Sequence, residues 1–189
     1  MSEIIFHELS RQHFRRYFQP SRLLLCVLPA PTRSGFSVIT VSFNMYCSYK
    51  PPMMAVAVHN INESWRLIHD TKEYVLSVPG ESLAQETLEC GWHSLRDVDK
   101  VDHFGLELFP STSVGVPGLR RAIANIELVK ETAIETGDHS LVVGRVLRFA
   151  VNTQSTELPL LSVGPRSAGY RVLSRRGIHR IAVVDQTAE

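Results

Sequence analysis

Two long strand-like runs, residues 122–136 and 140–152, meet at the turn signal Gly137-Asp138. In the first run Ile123, Asn125, Glu127 and Val129 share one face, and Ala124, Ile126 and Leu128 the other. Shorter runs of the same kind accompany this pair. Residues 23–28 are continuously apolar and lead into a turn cluster at 29–35. Residues 36–43 alternate and are rich in Val, Ile and Thr. Residues 53–58 alternate little, which predicts burial on both faces. Residues 74–78 form a short strand that Pro79-Gly80 ends, and 178–184 form a late one after an irregular stretch from Asn152. Many strands and few helices predict a mainly β chain folded as a barrel.

The helices are peripheral. Ile5, Leu9 and His13, then Phe14, Tyr17 and Phe18, recur at helical spacing before Pro20. This predicts an N-terminal helical extension over 1–20, whose apolar stripe packs on the barrel or on a second subunit. Asn60, Asn62 and Ser64 precede Trp65-Arg66-Leu67-Ile68 as N-cap chemistry. Ser82 is expected to cap a helix through Leu88, and 96–103 reads as a charged loop.

Bulk properties narrow the function. The net charge is +1, from 20 basic and 19 acidic residues, and implies no polyanion such as nucleic acid. Arg15-Arg16, Arg120-Arg121 and Arg175-Arg176 are scattered, so they read as solvated surface; one pair could still receive a dinucleotide phosphate. Cys26, Cys47 and Cys90 are odd in number and widely spaced, which predicts no disulfide framework and a reducing compartment. No basic and apolar leader opens the sequence, and no apolar run approaches the roughly 18 residues that span a bilayer. A cytoplasmic protein without membrane attachment is expected.

Two distant segments carry the candidate chemistry. One is Ser42-Phe43-Asn44-Met45-Tyr46-Cys47-Ser48-Tyr49-Lys50-Pro51-Pro52, read as a loop of small and polar residues stiffened by the double proline. Small side chains there would let backbone donors and acceptors approach a flat ring. The other is Glu135-Thr136-Gly137-Asp138-His139, which puts His139 at a strand start near a rim. Ser64 is either a plain N-cap or a hydroxyl beside a phosphate at a helix N-terminus. Lys100 either is solvated beside its aspartates or neutralises that phosphate. Cys47 is a redox thiol or a small buried residue. Cys90, His93, Asp97, Asp99 and His103 lack paired metal-ligand spacing, so no metal is assigned. No GxGxxG, Walker A or GxSxG motif occurs.

The order of these signals resembles the flavin reductase-like, FMN-binding split-barrel family, in its flavoredoxin-like branch. The resemblance rests on Cys47-Ser48-Tyr49-Lys50-Pro51-Pro52, Ser64, Cys90-Gly91, Arg96-Asp97-Val98-Asp99-Lys100, Gly137-Asp138-His139 and Val143-Gly144-Arg145-Val146. It covers about 20–152 and extends toward Tyr170. It implies an antiparallel Greek-key split barrel over 21–170, a C-terminal extension over 171–189, and a homodimer with one FMN per subunit near the interface. The flavin-binding set it implies is Ser37, Thr40, Val41, Ser42, Phe43, Asn44, Cys47, His59, Ser64, Trp65, Lys100, His139 and Tyr170. Ser37 stands where the family often has Asn, and Val101 follows Lys100 where Phe is usual. His139 is the implied catalytic residue, beside flavin and nicotinamide. The implied activity is hydride transfer from NADH or NADPH to FMN, then electron transfer to a second flavin, a metal complex, oxygen or a partner such as a monooxygenase. Two alternatives stand beside it: an electron-transfer flavoprotein that never meets NAD(P)H, and a flavin-free dimeric split barrel that serves as a binding module.

Overall fold

The structure is a computed structural model and describes residues 19–164 and 168–185. The N-terminal helix expected over 5–18 lies outside the described residues. The strands are β1 (Ser21–Arg22), β2 (Leu24–Pro29), β3 (Phe36–Val41), β4 (Asn44–Tyr49), β5 (Pro52–His59), β6 (Glu73–Val78), β7 (Leu108–Phe109), β8 (Gly118–Leu119), β9 (Ala124–Glu135), β10 (His139–Val151), β11 (Leu161–Ser162), β12 (Tyr170–Arg176) and β13 (His179–Val184). The helices are α1 (Glu63–Asp70), α2 (Ala84–Trp92) and α3 (Lys100–His103), with a 3-10 turn at Glu81–Leu83 before α2.

Seven strands form one antiparallel sheet in the order β3-β2-β6-β9-β10-β5-β4. Its ends meet. β3 runs on through Ser42-Phe43 into β4, and the Ala57 amide on β5 donates to the Phe43 carbonyl (2.9 Å). The result is the mainly β split barrel that the sequence led us to expect. Alternation explains its two-sided burial. Leu24, Cys26 and Leu28 enter the barrel interior with Ile39, Val56 and Tyr74. Leu25 and Val27 face outward, under Val101, Leu106 and Leu119 of the segment that crosses the barrel. That is why residues 24–28 read as a continuous apolar run. A four-stranded sheet, β1-β11-β13-β12, packs Ile181 and Val183 against Ala84 and Leu88 of α2.

Several expectations need correction. Asn44–Tyr49 is not a loop but a strand, an edge paired with β5 around Lys50-Pro51. Aromatic residues there favour a pleated surface, and the hairpin satisfies the backbone. Ser82 lies within the 3-10 turn, and α2 begins after Leu83 without a side-chain cap. Residues 100–103 are helical, because the Asp99 carboxylate accepts from the amides of Val101 (3.1 Å) and Asp102 (3.5 Å). The stretch after Asn152 contains β12, which pairs with β13 as a hairpin.

One buried carboxylate ties the crossing segment down. Glu127 is 1% exposed and accepts from the amides of Thr112 (3.2 Å) and Ser113 (2.5 Å) and from Arg148 Nη1 (3.2 Å). Burial alone would raise its carboxyl, but these bonds outweigh it and hold the group below its ordinary range. Glu127→Gln should therefore cost about 1.5–3 kcal/mol at pH 7, the usual worth of hydrogen bonds to a charged group. A depressed carboxyl contributes stability that is full above the unfolded value, about 4.3 for Glu, and lost as pH falls through the folded value. Urea unfolding of both proteins at pH 7 and pH 3 should show the gap closing in acid; a constant gap would mean the carboxylate is not the tether.

Candidate functional site

The β9–β10 hairpin brings His139 to the rim of a cleft. Gly137 has φ +87°, a backbone that L side chains rarely adopt, and so permits the tight turn. Asn60 stitches this tip to the end of β5. Its amide donates to the Asp138 carbonyl (3.0 Å), its Nδ2 to the Gly137 carbonyl (3.1 Å), and its Oδ1 accepts from Ser140 Oγ (2.7 Å). His139 and His59 are direct cross-strand partners, with ring centroids 4.8 Å apart. The Phe43 ring lies 5.4 Å from His139. His139 Nδ1 sits 2.6 Å from Asp138 Oδ1; a carboxylate only accepts, so Nδ1–H donates and Nε2 is left for a ligand.

The cleft encloses about 610 Å3. Its floor is the end of β3, where Thr40 and Ser42 present hydroxyls. One wall is the start of α1, including Ser64, and the opposite wall is the end of α2 with Gly91 and Trp92. Two contacts fix these walls. Lys130 on β9 donates to the last carbonyls of α1, Ile68 (3.0 Å) and His69. Thr40 Oγ1 donates to the Thr87 carbonyl of α2 (2.5 Å). Asn62, not Ser64, is the N-cap of α1; Ser64 is in the first turn, buried, and lines the cleft.

Lys100 is the unusual member. It is 3% exposed, lines the cleft, and donates from Nζ to the Cys90 carbonyl (2.8 Å). No carboxylate pairs with it among the described residues. Its neighbour Asp99 is spent on the α3 cap and on the amide (3.0 Å) and hydroxyl (2.9 Å) of Ser34. Burial lowers the Lys100 ammonium, with the nearby Cys90 opposing the shift. Burial also pushes the Cys90 thiol up to about 12. Arg96 reaches the same cleft and is paired with Glu63 at the start of α1.

Of the residues singled out in the sequence, Thr40, Val41, Ser42, Phe43, His59, Ser64, Lys100 and His139 line this cleft. Five do not. Ser37 is buried with a hydroxyl that has no partner among the described residues. Asn44 Nδ2 donates to the carbonyls of Arg22 (2.9 Å) and Val41 (3.3 Å). Cys47 is exposed on β4. Trp65 packs against the barrel interior and His69, and Tyr170 opens β12 in the small sheet. The sequence reading did not single out Gly91, Trp92 and Arg96 as lining residues, although Cys90-Gly91 and the run from Arg96 to Lys100 marked their neighbourhood. No three His, Cys, Asp or Glu side chains are grouped to hold a metal among the described residues.

The donor set fits a flavin nucleotide. Thr40, Ser42 and Ser64 offer hydroxyls, Phe43 and two imidazoles offer flat apolar surface, and Lys100 offers a buried cation for a phosphate. An uncharacterized protein of Pyrococcus abyssi is 30% identical over 121 residues, covering 64% of this chain and 69% of that one. The fold is similar to that of an FMN-binding protein of Thermus thermophilus with bound p-hydroxybenzaldehyde (TM-score 0.74, 20% identity, all of both chains). It is also similar to that of the NADH:FAD oxidoreductase SgcE6 of Streptomyces globisporus (TM-score 0.71, 19% identity, 82% of this chain and 92% of that one). Residues 18–169 match the Flavin reductase like domain, and the chain belongs to that family of flavin-binding oxidoreductases.

Proposed function

We propose that the protein is a homodimeric, NAD(P)H-dependent FMN reductase. The observation that carries this reading is Lys100. A buried cation in a cleft is costly unless an anion joins it. Ser64 shares that cleft, at the start of a helix whose free amides favour phosphate. The terminal phosphate of FMN fits this pair better than the substituted diphosphate of FAD. Among the similar proteins, one is an FMN-binding protein and another an NADH:FAD oxidoreductase. When bound, FMN would take a hydride from NAD(P)H and pass electrons to a second acceptor. The chain's own residues orient and exclude. Phe43 and His59 flank His139, Asp138 fixes the His139 tautomer, and Nε2 of His139 is the group presented to the donor. An absorption spectrum before and after anaerobic NAD(P)H tests the whole reading. A flavin spectrum that NAD(P)H does not bleach would leave an electron-transfer flavoprotein; no flavin at all would leave a binding module.

His139→Ala is expected to keep FMN bound and to slow flavin reduction about tenfold, or roughly 1.4 kcal/mol of barrier. Stopped-flow reduction at saturating NAD(P)H measures it, and a wild-type rate would make His139 a plain turn residue.

The homodimer rests on β4. This edge strand exposes Met45, Tyr46 and Tyr49, and Tyr46 stacks on Tyr49 (5.8 Å) and on the exposed Phe149 of β10 (6.1 Å). Exposed edges normally carry charge, and an apolar one of this extent calls for a cover. Sedimentation at micromolar concentration should report a dimer, and Tyr46→Lys with Phe149→Glu should shift it to monomer. A monomeric wild type would sink the proposal.

A further inference from the structure

An ion pair between residues 33 positions apart in the sequence closes one corner of the cleft. Glu63 opens α1 and Arg96 follows α2; both side chains line the cleft, and they pair with each other. The backbone under Arg96 is a well-held turn. The amides of Asp97 (3.1 Å) and Val98 (3.3 Å) donate to the Ser94 carbonyl, and the Arg96 amide donates to Ser94 Oγ (3.2 Å). The two side chains are unequal. That of Glu63 is 20% exposed, and that of Arg96 is 69% exposed. The carboxylate is therefore the fixed member, and the guanidinium, on its long stem, is the one that can turn to another acceptor.

The position of Glu63 makes it a rival of a phosphate. A helix start favours an anion, and the first residue of α1 is itself one. Glu63 directly precedes Ser64, which shares the cleft. The carboxylate thus engages Arg96 in the corner where a phosphate would seek it. Glu63 also has a second arginine, because Arg66, one turn further along α1, approaches it at 3.7 Å. It can release Arg96 without being left unpaired. Two effects favour the exchange. An ion pair with so exposed a partner is worth little. A phosphate carries more charge than a carboxylate and takes the guanidinium fork through two oxygens. Among the described residues, the lysine and arginine side chains that line the cleft are Lys100 and Arg96, and both belong to the segment that leads from α2 into α3.

We propose that Glu63 is a built-in competitor for the flavin phosphate. It keeps Arg96 until FMN enters and then yields it to the phosphate, and this competition makes FMN an exchangeable ligand. The proposal rests on the reading that the phosphate lies by Lys100 and Ser64. Lys100 supplies a cation that no carboxylate claims among the described residues, whereas Arg96 supplies one that must be taken from Glu63. Affinity is lowered twice, by the pair that breaks and by the repulsion between the carboxylate and the incoming phosphate.

The test uses the purified full chain and titrates it, by flavin fluorescence, with FMN and with riboflavin, which has the same ring and ribityl chain but no phosphate. Glu63→Gln keeps the shape and removes the charge. It should tighten FMN about tenfold and leave riboflavin unchanged. Arg96→Met should weaken FMN about tenfold, again with riboflavin unchanged. Riboflavin guards against a damaged fold. Loss of both flavins in either variant would overturn the proposal, by making the pair a structural strap across the cleft. FMN affinity that is equal or weaker in Glu63→Gln would also overturn it, because the carboxylate would then not compete. Unchanged FMN affinity in Arg96→Met with a loss in Lys100→Met would reject the exchange and keep the phosphate reading. Equal affinity of the unaltered protein for FMN and riboflavin would remove both, since the cleft would then read no phosphate.

Discussion

Gly144→Ala is expected to destabilise the protein by about 1–3 kcal/mol, the usual penalty for overpacking a core. For a chain of this size that lowers Tm by roughly 2–4 °C per kcal/mol. The reason is one ring. Tyr74 is fully buried inside the barrel, and a Cβ at Gly144 would meet its Oη at 2.2 Å, its Cζ at 2.9 Å and Leu128 Cδ2 at 3.2 Å. The ring cannot swing away, because it is packed on all sides by the barrel interior. Gly144 also sits at a register shift between β9 and β10, where the strand bends. The partner change separates this account from a generic loss. Tyr74 Oη has no hydrogen-bond partner among the described residues, and burial pushes the phenol up. Tyr74→Phe alone should be neutral or stabilising, since it removes an unpaired buried hydroxyl. Combined with Gly144→Ala it should recover part of the loss, as a coupling energy in a double-mutant cycle. Simple additivity of the two changes would show that the clash is not with this ring.

The same residues show how much of the fold was legible in the sequence. The β9–β10 pair was readable because Gly137-Asp138 punctuates two long alternating runs, and its register follows from that turn. β4 was hidden because Ser48, Lys50 and the two prolines are turn chemistry, and they masked the aromatics that make Asn44–Tyr49 an edge strand. The hairpin of β12 and β13 was half seen. Ile181 to Val183 face a core and read as apolar, whereas β12 is mostly exposed and its Arg-rich sequence carries no period.

The site was legible where it depends on chain order and illegible where it depends on tertiary approach. Thr40 and Ser42, Ser64, Lys100 and His139 come from four different segments, yet all meet in one cleft. Asn44 and Cys47 belong to the same stretch as Ser42, but β4 pairs with β5 and carries them away from the cleft, where the sequence had suggested a loop around it. Trp92 had no signal of its own, and Gly91 had only the pair Cys90-Gly91. They matter because Thr40 anchors α2 against β3, a contact across 47 residues of sequence.

Lys100→Met should weaken FMN binding by about 1.5–3 kcal/mol, the range for a charge-assisted hydrogen bond, or roughly ten- to a hundredfold and more. The flavin-free protein should respond the other way. Its Lys100 ammonium is buried with the Cys90 carbonyl as partner and no paired carboxylate among the described residues, so an apolar side chain of similar length should be neutral or stabilising. An effect of opposite sign on affinity and on stability is what a ligand-binding cation predicts and a structural tether does not. The pH dependence follows the same logic. Burial places the folded value of Lys100 below the ordinary lysine value, about 10.4. Between the two, the unfolded chain holds more protons, so the flavin-free protein gains stability as pH rises through that window. A phosphate dianion favours the ammonium, so FMN binding in the window takes up a proton and affinity falls as pH rises. Lys100→Met should flatten both trends. Flavin titrations and urea unfolding of the two proteins across that window measure them. FMN affinity equal in both proteins at every pH would reduce Lys100 to a tether on the Cys90 carbonyl, and the phosphate would have to lie against another part of the cleft.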